Sequence, residues 1–220
     1  MAKIVDVNQA ISMIQSGQTL MVGGFGLTGS PLTLIDALEQ SNVTGLTIIS
    51  NNLGEPNKGL GKLAKKNKVK KAIGSFFTSN IDVVKANKAG EIEIELLPQG
   101  TLAEAIRAGG AGIGAFYVLA GVGTQLSQNK ETRLIKEKHY LYQESLKADV
   151  ALIKAHKADK LGNLIYRKSA GNFNSIMATA ASTVIVEVDE IVEVGQLSPK
   201  EIITPHLYVD YLVSSVKEVG

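Results

Sequence analysis

The chain has 220 residues, 45% of them hydrophobic and 20% charged, with a net charge of +2. It can bury one large core, and no Pro/Ser-rich or acidic linker divides it, so a single domain over 1–220 is expected. The small charge implies no nucleic acid partner, and the lack of cysteine excludes disulfides, thiol catalysis and cysteine metal sites.

The N-terminus, Met1-Ala2-Lys3-Ile4-Val5-Asp6, lacks the apolar centre of a signal peptide. No apolar run reaches the ~18 residues of a membrane span, so a cytoplasmic location is expected. Asp6 is placed to cap a helix over 7–15. Thr19 to Val22 then reads as a short buried strand. Gly23, Gly24, Gly26 and Gly29 follow, allowing a sharp turn and close approach by another molecule. Ser30 suits an N-cap and Pro31 a first helical position for a helix over 32–40. A strand, a glycine loop and a helix start make a site for an anionic ligand, because free amides and the helix dipole converge there.

Farther on, a strand at 46–49 leads into a loop at 51–59 and a short helix at 60–66. The span 69–77 contains a strand, and Asn80 caps a helix over 81–89. A strand at 92–97, a helix at 101–108 and a strand at 116–119 follow. A more polar, hairpin-like region (125–143) precedes a strand at 150–155, a helix at 175–181 and a strand at 183–188. Strands separated by helices predict an α/β fold: a single open, mainly parallel sheet with flanking helices. Ligands in such sheets sit beyond the carboxyl ends of the strands. The glycine loop, Asn51-Asn52 and Gln99-Gly100 each follow a strand, so all three are expected along one edge.

Each candidate has a functional and a structural reading. Gly24-x-Gly26-x-x-Gly29 matches a dinucleotide fingerprint, but the second strand ends in Ser50, Asn51 and Asn52, where a ribose-binding carboxylate is required. Structurally, the glycines form a tight turn with a helix cap, with Phe25 packed beneath. Gln99 is read as a buried amide able to donate to a carboxylate without adding charge; the alternative is a turn cap. Asn51 and Asn52 either line the same pocket or serve turn chemistry. Gly109, Gly110, Ala111, Gly112 and Gly114, with Gly121 and Gly123, read as close packing. His139, His156 and His206 have no metal-ligand spacing, so no metal site is expected, and His156 reads as a structural hydrogen bonder. Lys58, Lys62, Lys65, Lys66, Lys68, Lys70 and Lys71 read first as a solvated face, and second as a phosphate attractor.

The segment Gly17-x-x-Leu20-Met21-Val22-Gly23-Gly24-Phe25-x-x-x-Gly29-x-Pro31 resembles the N-terminal signature of family I coenzyme A transferases, in their A (alpha) subunit. Similar blocks follow in order: Pro98-Gln99-Gly100-Thr101-Leu102-Ala103-Glu104; Ile106-Arg107-Ala108-Gly109-Gly110-Ala111-Gly112; Lys154-Ala155-His156-Lys157-Ala158-Asp159 with Gly162-Asn163; Ser169-Ala170-Gly171-Asn172-Phe173-Asn174; and Val186 to Glu193. Ser16 departs from the usual Asp or Asn but serves the same turn.

The resemblance implies a sheet of the coenzyme A transferase type and coenzyme A transfer between short-chain or 3-oxo acyl-CoA and carboxylic acids. It implies that Gly23, Gly24, Phe25, Gly26, Leu27, Thr28 and Gly29 contribute to coenzyme A binding. Gln99, with Gly100, Asn51 and Asn52, would face the acid substrate. Coenzyme A enters as substrate, with no permanently bound cofactor. The nucleophile in the family is a glutamate that forms an acyl anhydride and then a glutamyl thioester. It lies in a Ser-Glu-Asn-Gly-type block of the B subunit, and this chain contains no such block. The expected assembly is therefore a half-enzyme completed by a B subunit, as an α2β2 hetero-oligomer. Two other classes remain open at this point: a stand-alone sugar-phosphate isomerase or deaminase, and a non-catalytic nucleotide-binding module.

Overall fold

The computed structural model describes residues 1–128 and 130–216; Asn129, within the expected hairpin region, lies outside the described residues. Its main sheet runs β1 (Lys3–Ile4), β12 (Tyr211–Ser214), β11 (Ala181–Val192), β9 (Ala148–Asp159), β2 (Thr19–Val22), β3 (Leu46–Ile49), β4 (Val69–Gly74), β5 (Glu93–Leu96). Neighbours in that order pair parallel; β10 (Leu164–Ile165) pairs antiparallel with β9.

Alternation along the strands divides the core. Leu20, Val22, Ile48, Val150, Leu152 and Ile185 face a layer formed by α1 (Val7–Ser12), α2 (Leu32–Gln40), α3 (Leu60–Lys65) and α4 (Ile81–Lys88). Their neighbours Met21, Ile49, Ala151, Ile153, Val184 and Val186 pack on the other face with α5 (Gln99–Gly110) and α6 (Asn174–Met177). A period of two with both faces apolar is what a sheet sandwiched between helix layers requires. A separate antiparallel sheet, β6 (Ala115–Val118), β8 (Lys138–Glu144) and β7 (Thr132–Ile135), follows α5.

The expected elements are present, with adjusted ends. Helix α1 stops at Ser12, three residues before the expected Gln15, where the chain turns toward Gly17 at φ +82°. Its capping box is complete: Asp6 Oδ1 accepts from Gln9 N at 2.8 Å and Gln9 Oε1 from Asp6 N at 3.3 Å. Helix α5 begins at Gln99 rather than Thr101. The two-residue strands β1 and β10 are too short to carry a readable period, and the sequence reading also missed β12.

The topology positions the site. From β2 the chain winds outward through β3 and β4 to β5, then returns to place β9 on the other side of β2. The carboxyl ends of β2 and β9 are therefore a switch point, where loops diverge and leave a crevice.

Candidate functional site

The loops after β3, β4 and β5 meet, as expected for Asn51, Asn52 and Gln99. Asn51 Nδ2 donates to Ser75 Oγ at 3.0 Å and to Gln99 Oε1 at 3.4 Å. Asn52 Nδ2 donates to Asn51 Oδ1 at 3.1 Å, and its own Oδ1 accepts from Gly54 N at 2.8 Å. Ser75 Oγ also reaches Gln99 Oε1 at 3.4 Å, and Ser75 N donates to Asn51 O at 3.1 Å. Asn51 and Asn52 are buried, whereas Gln99 is exposed, which corrects the reading of a buried amide. The correction has a structural cause: Gln99 opens helix α5, with its side chain at the sheet edge instead of under it.

Because Gln99 Oε1 is taken by Asn51 and Ser75, its Nε2 group remains without an acceptor among the described residues. A neutral amide donor at the start of a helix favours a carboxylate through hydrogen bonds and the helix dipole. Gly100 is exposed beside it, with open space where a side chain would stand. No carboxylate, imidazole or ammonium hydrogen-bonds to Asn51, Asn52, Ser75 or Gln99 among the described residues. Ser75 was missed in the sequence because a lone serine after a strand carries no motif.

The glycine loop stands next along the edge. Ser50 Oγ donates to Val22 O at 2.7 Å, joining the ends of β2 and β3. Phe25 and Thr28 exchange backbone hydrogen bonds at 3.0 and 3.2 Å, so Gly26 and Leu27 form the tip of a small hairpin. A Cβ on Gly23 would lie 1.8 Å from Asn174 Oδ1, so a side chain there would have to displace Asn174. Phe25 is half exposed and does not pack beneath the loop.

Helix α2 departs from the reading of a free anion-binding terminus. Ser30 does not cap it; its hydroxyl donates to Gly26 O at 3.2 Å, and Pro31 occupies the cap position. The first turn is already served by Glu187 of β11, whose carboxylate accepts from Leu34 N at 3.3 Å and Thr33 Oγ1 at 3.1 Å. An internal anion thus neutralises the dipole that an external ligand was expected to use. Glu187 is buried and pairs with Lys154 at 2.9 Å, which also meets Asp189 at 2.6 Å and Ser215.

Asp189 in turn contacts His156 Nδ1 at 3.3 Å, in keeping with a structural role for that histidine. Burial pushes the Asp189 carboxyl up, but Lys154, with His156 and Ser215, outweighs it and holds the group below the ordinary carboxylate range. Among the described residues no group of His, Cys, Asp and Glu is arranged to hold a metal.

Asn174, fully buried, ties these parts together. Its Oδ1 accepts from Lys154 N at 2.9 Å, while Nδ2 donates to Gly29 O at 2.9 Å and Ala170 O at 2.8 Å. Its neighbour Asn172 donates to Thr28 O at 3.0 Å and Ser169 O at 3.1 Å.

Packing governs only part of the second glycine cluster. A Cβ on Gly109 or Gly110 would strike Leu146 O or Thr179 Oγ1 at 2.0 and 2.1 Å, while Gly112, Gly114 and Gly123 face open space. Most of the lysine-rich stretch is engaged internally: Lys58 with Glu55, Lys62 with Asp36, Lys65 with Asn57, and Lys71 with Glu93 and Glu95. Lys68 is not on a solvated face at all. It is buried, donates to Ser41 O and Val43 O, and burial lowers its pKa.

With this geometry in place, comparison with known proteins is specific. Residues 4–215 match the coenzyme A transferase family. The A subunit of a succinyl-CoA:3-ketoacid coenzyme A transferase from Xanthomonas campestris pv. campestris is 50% identical over 212 residues, 96% of this chain and 88% of that one. The A subunit of a 3-oxoadipate CoA-transferase from Pseudomonas putida is 48% identical over 210 residues, 94% and 91% of the two chains. An acyl-CoA transferase of E. coli O157:H7, solved as a thioester complex with CoA, has the same fold at TM-score 0.86 and 22% identity. The match covers 97% of this chain, which spans only 50% of that one. This chain belongs to the coenzyme A transferase family, as an A-type subunit.

Proposed function

We propose that residues 1–220 form one domain, the A-type half of a cytoplasmic α2β2 coenzyme A transferase. The enzyme moves coenzyme A between a short-chain or 3-oxo acyl-CoA and a carboxylic acid. The observation that carries this reading is the Asn51–Ser75–Gln99 cluster: donors suited to an acid substrate, with no carboxylate hydrogen-bonded to them among the described residues. Glu55, in the loop after Asn52, is exposed and paired with Lys58 at 3.4 Å, and it hydrogen-bonds to none of the cluster residues among the described residues.

In this reading the nucleophile comes from the B subunit. Its glutamate attacks the donor thioester carbonyl and expels the coenzyme A thiolate, leaving an acyl-glutamyl anhydride. The thiolate then attacks the glutamyl carbonyl and releases the first acid. The acceptor carboxylate completes the exchange through a second anhydride. Gln99 Nε2 holds the carboxylate of the acid, and backbone donors of the Gly23–Gly29 loop bind the acyl-CoA and stabilise charge on the thioester oxygen. No cofactor is held permanently; coenzyme A is a substrate.

Two measurements test the assignment. Gln99→Ala in the assembled enzyme is expected to raise the acid KM roughly 10- to 100-fold, since a hydrogen bond to a charged group contributes on the order of 1.5–3 kcal/mol. An unchanged KM refutes the Gln99 role. Borohydride reduction of the enzyme charged with acyl-CoA is expected to mark only the B subunit; label on this chain refutes the assignment of the nucleophile.

A further inference from the structure

A cavity of about 1590 Å³ lies beside the glycine loop that follows β2 and the segment Lys154 to His156 of β9, and extends along α1 and α2. That exceeds the roughly 300–1,000 Å³ of ordinary small-ligand sites and leaves room for a long cofactor-like molecule. Leu27, Thr28 and Gly29 of the glycine loop line one side, and Arg167 and Lys168 line another. We propose that Arg167 and Lys168 form the site for the phosphate-bearing end of the acyl-CoA. This inference rests on the reading that the glycine loop contacts acyl-CoA.

Charge separates these two residues from the other ionic groups of the cavity. Asp36 is paired with Lys62, and Glu187 and Asp189 are paired with Lys154, with His156 on Asp189. Arg167 and Lys168 are exposed and make no side-chain hydrogen bond or ion pair among the described residues. The cavity thus presents compensated carboxylates and two uncompensated cations, the arrangement suited to a phosphate or diphosphate.

The two cations are also held in a fixed relation to the loop. Asn174 bonds both Gly29 O and Ala170 O, and Asn172 bonds both Thr28 O and Ser169 O. On the upstream side the Tyr166 hydroxyl lies 2.7 Å from Thr204 Oγ1, and burial pushes its pKa up to about 12. Between these anchors Lys168 adopts φ +51°, an uncommon backbone conformation for a residue with a side chain.

The lysine-rich stretch considered from sequence is the weaker candidate, because most of its cations are already engaged.

The test compares acyl-CoA with acyl-pantetheine, which has the same thioester and no phosphate, in the enzyme assembled with its B subunit. In the wild type acyl-CoA is expected to have the lower KM. Arg167→Ala/Lys168→Ala is expected to narrow the KM ratio about tenfold, by raising the KM for acyl-CoA and not that for acyl-pantetheine. An unchanged ratio overturns the proposal. Gly26→Ala, whose methyl would enter open space at the loop tip, separates the two readings. If it raises KM for both thioesters while the double variant leaves the ratio unchanged, the loop reading stands and the phosphate site falls. If it changes neither KM, the loop reading fails.

Discussion

At the scale of single residues, the site depends on how closely backbone and side chains approach. Gly23 and Gly26 belong to the same loop yet face opposite constraints: a Cβ on the first would overlap Asn174 Oδ1 at 1.8 Å, and on the second would meet nothing within 4 Å. Gly23→Ala is expected to destabilise by about 3 kcal/mol through overpacking, whereas Gly26→Ala costs about 1 kcal/mol for its left-handed backbone. Equal urea midpoints for the two variants contradict that assignment. Asn174→Ala is expected to cost roughly 3 kcal/mol, because three part-buried backbone groups, at Lys154, Gly29 and Ala170, lose their partner together. A loss below about 1 kcal/mol in the same titration shows that these bonds are readily replaced.

At the scale of elements, strand β11 supplies Glu187 to helix α2 and Asp189 to strand β9, so one strand stabilises two neighbours. Lys154→Met leaves the Glu187 carboxylate buried without its cation, and a loss of about 3–5 kcal/mol is expected; a neutral effect means that Thr33 and Leu34 compensate the charge by themselves. Asp189 gives a pH signature. Its carboxyl is held below the ordinary value of 3.8. Its contribution is therefore complete above that value and is lost as the pH falls through the lower folded-state value. Stability measured downward from about pH 5 is expected to fall less steeply in Asp189→Asn than in the wild type; parallel curves contradict this. The elements themselves were largely legible, because 19–22, 32–40 and 46–49 carry strong apolar periods and punctuation. The use of α2 was not. A local sequence window suggests a free helix terminus after Pro31, while the carboxylate that occupies it lies 153 residues away on another strand. Asn51, Asn52 and Gln99 could be grouped because each directly follows a strand. Ser75, Asn174 and the Arg167–Lys168 pair could not, since their meaning depends on strand order.

At the scale of the whole molecule, winding outward from β2 and returning at β9 opens a crevice at the middle of the sheet and leaves one edge lined by neutral donors. The chain belongs to the coenzyme A transferase family as an A-type subunit, and among the described residues no carboxylate is hydrogen-bonded to the Asn51–Ser75–Gln99 cluster, in line with the proposal that a partner supplies the nucleophile. The central claim is that this edge completes a transferase whose reactive carboxylate is on another chain. Acyl-CoA-to-acid exchange by this chain in isolation, beside the same chain mixed with its B subunit, tests it most directly. Exchange only in the mixture is the result expected, and exchange at full rate by the isolated chain would contradict the account.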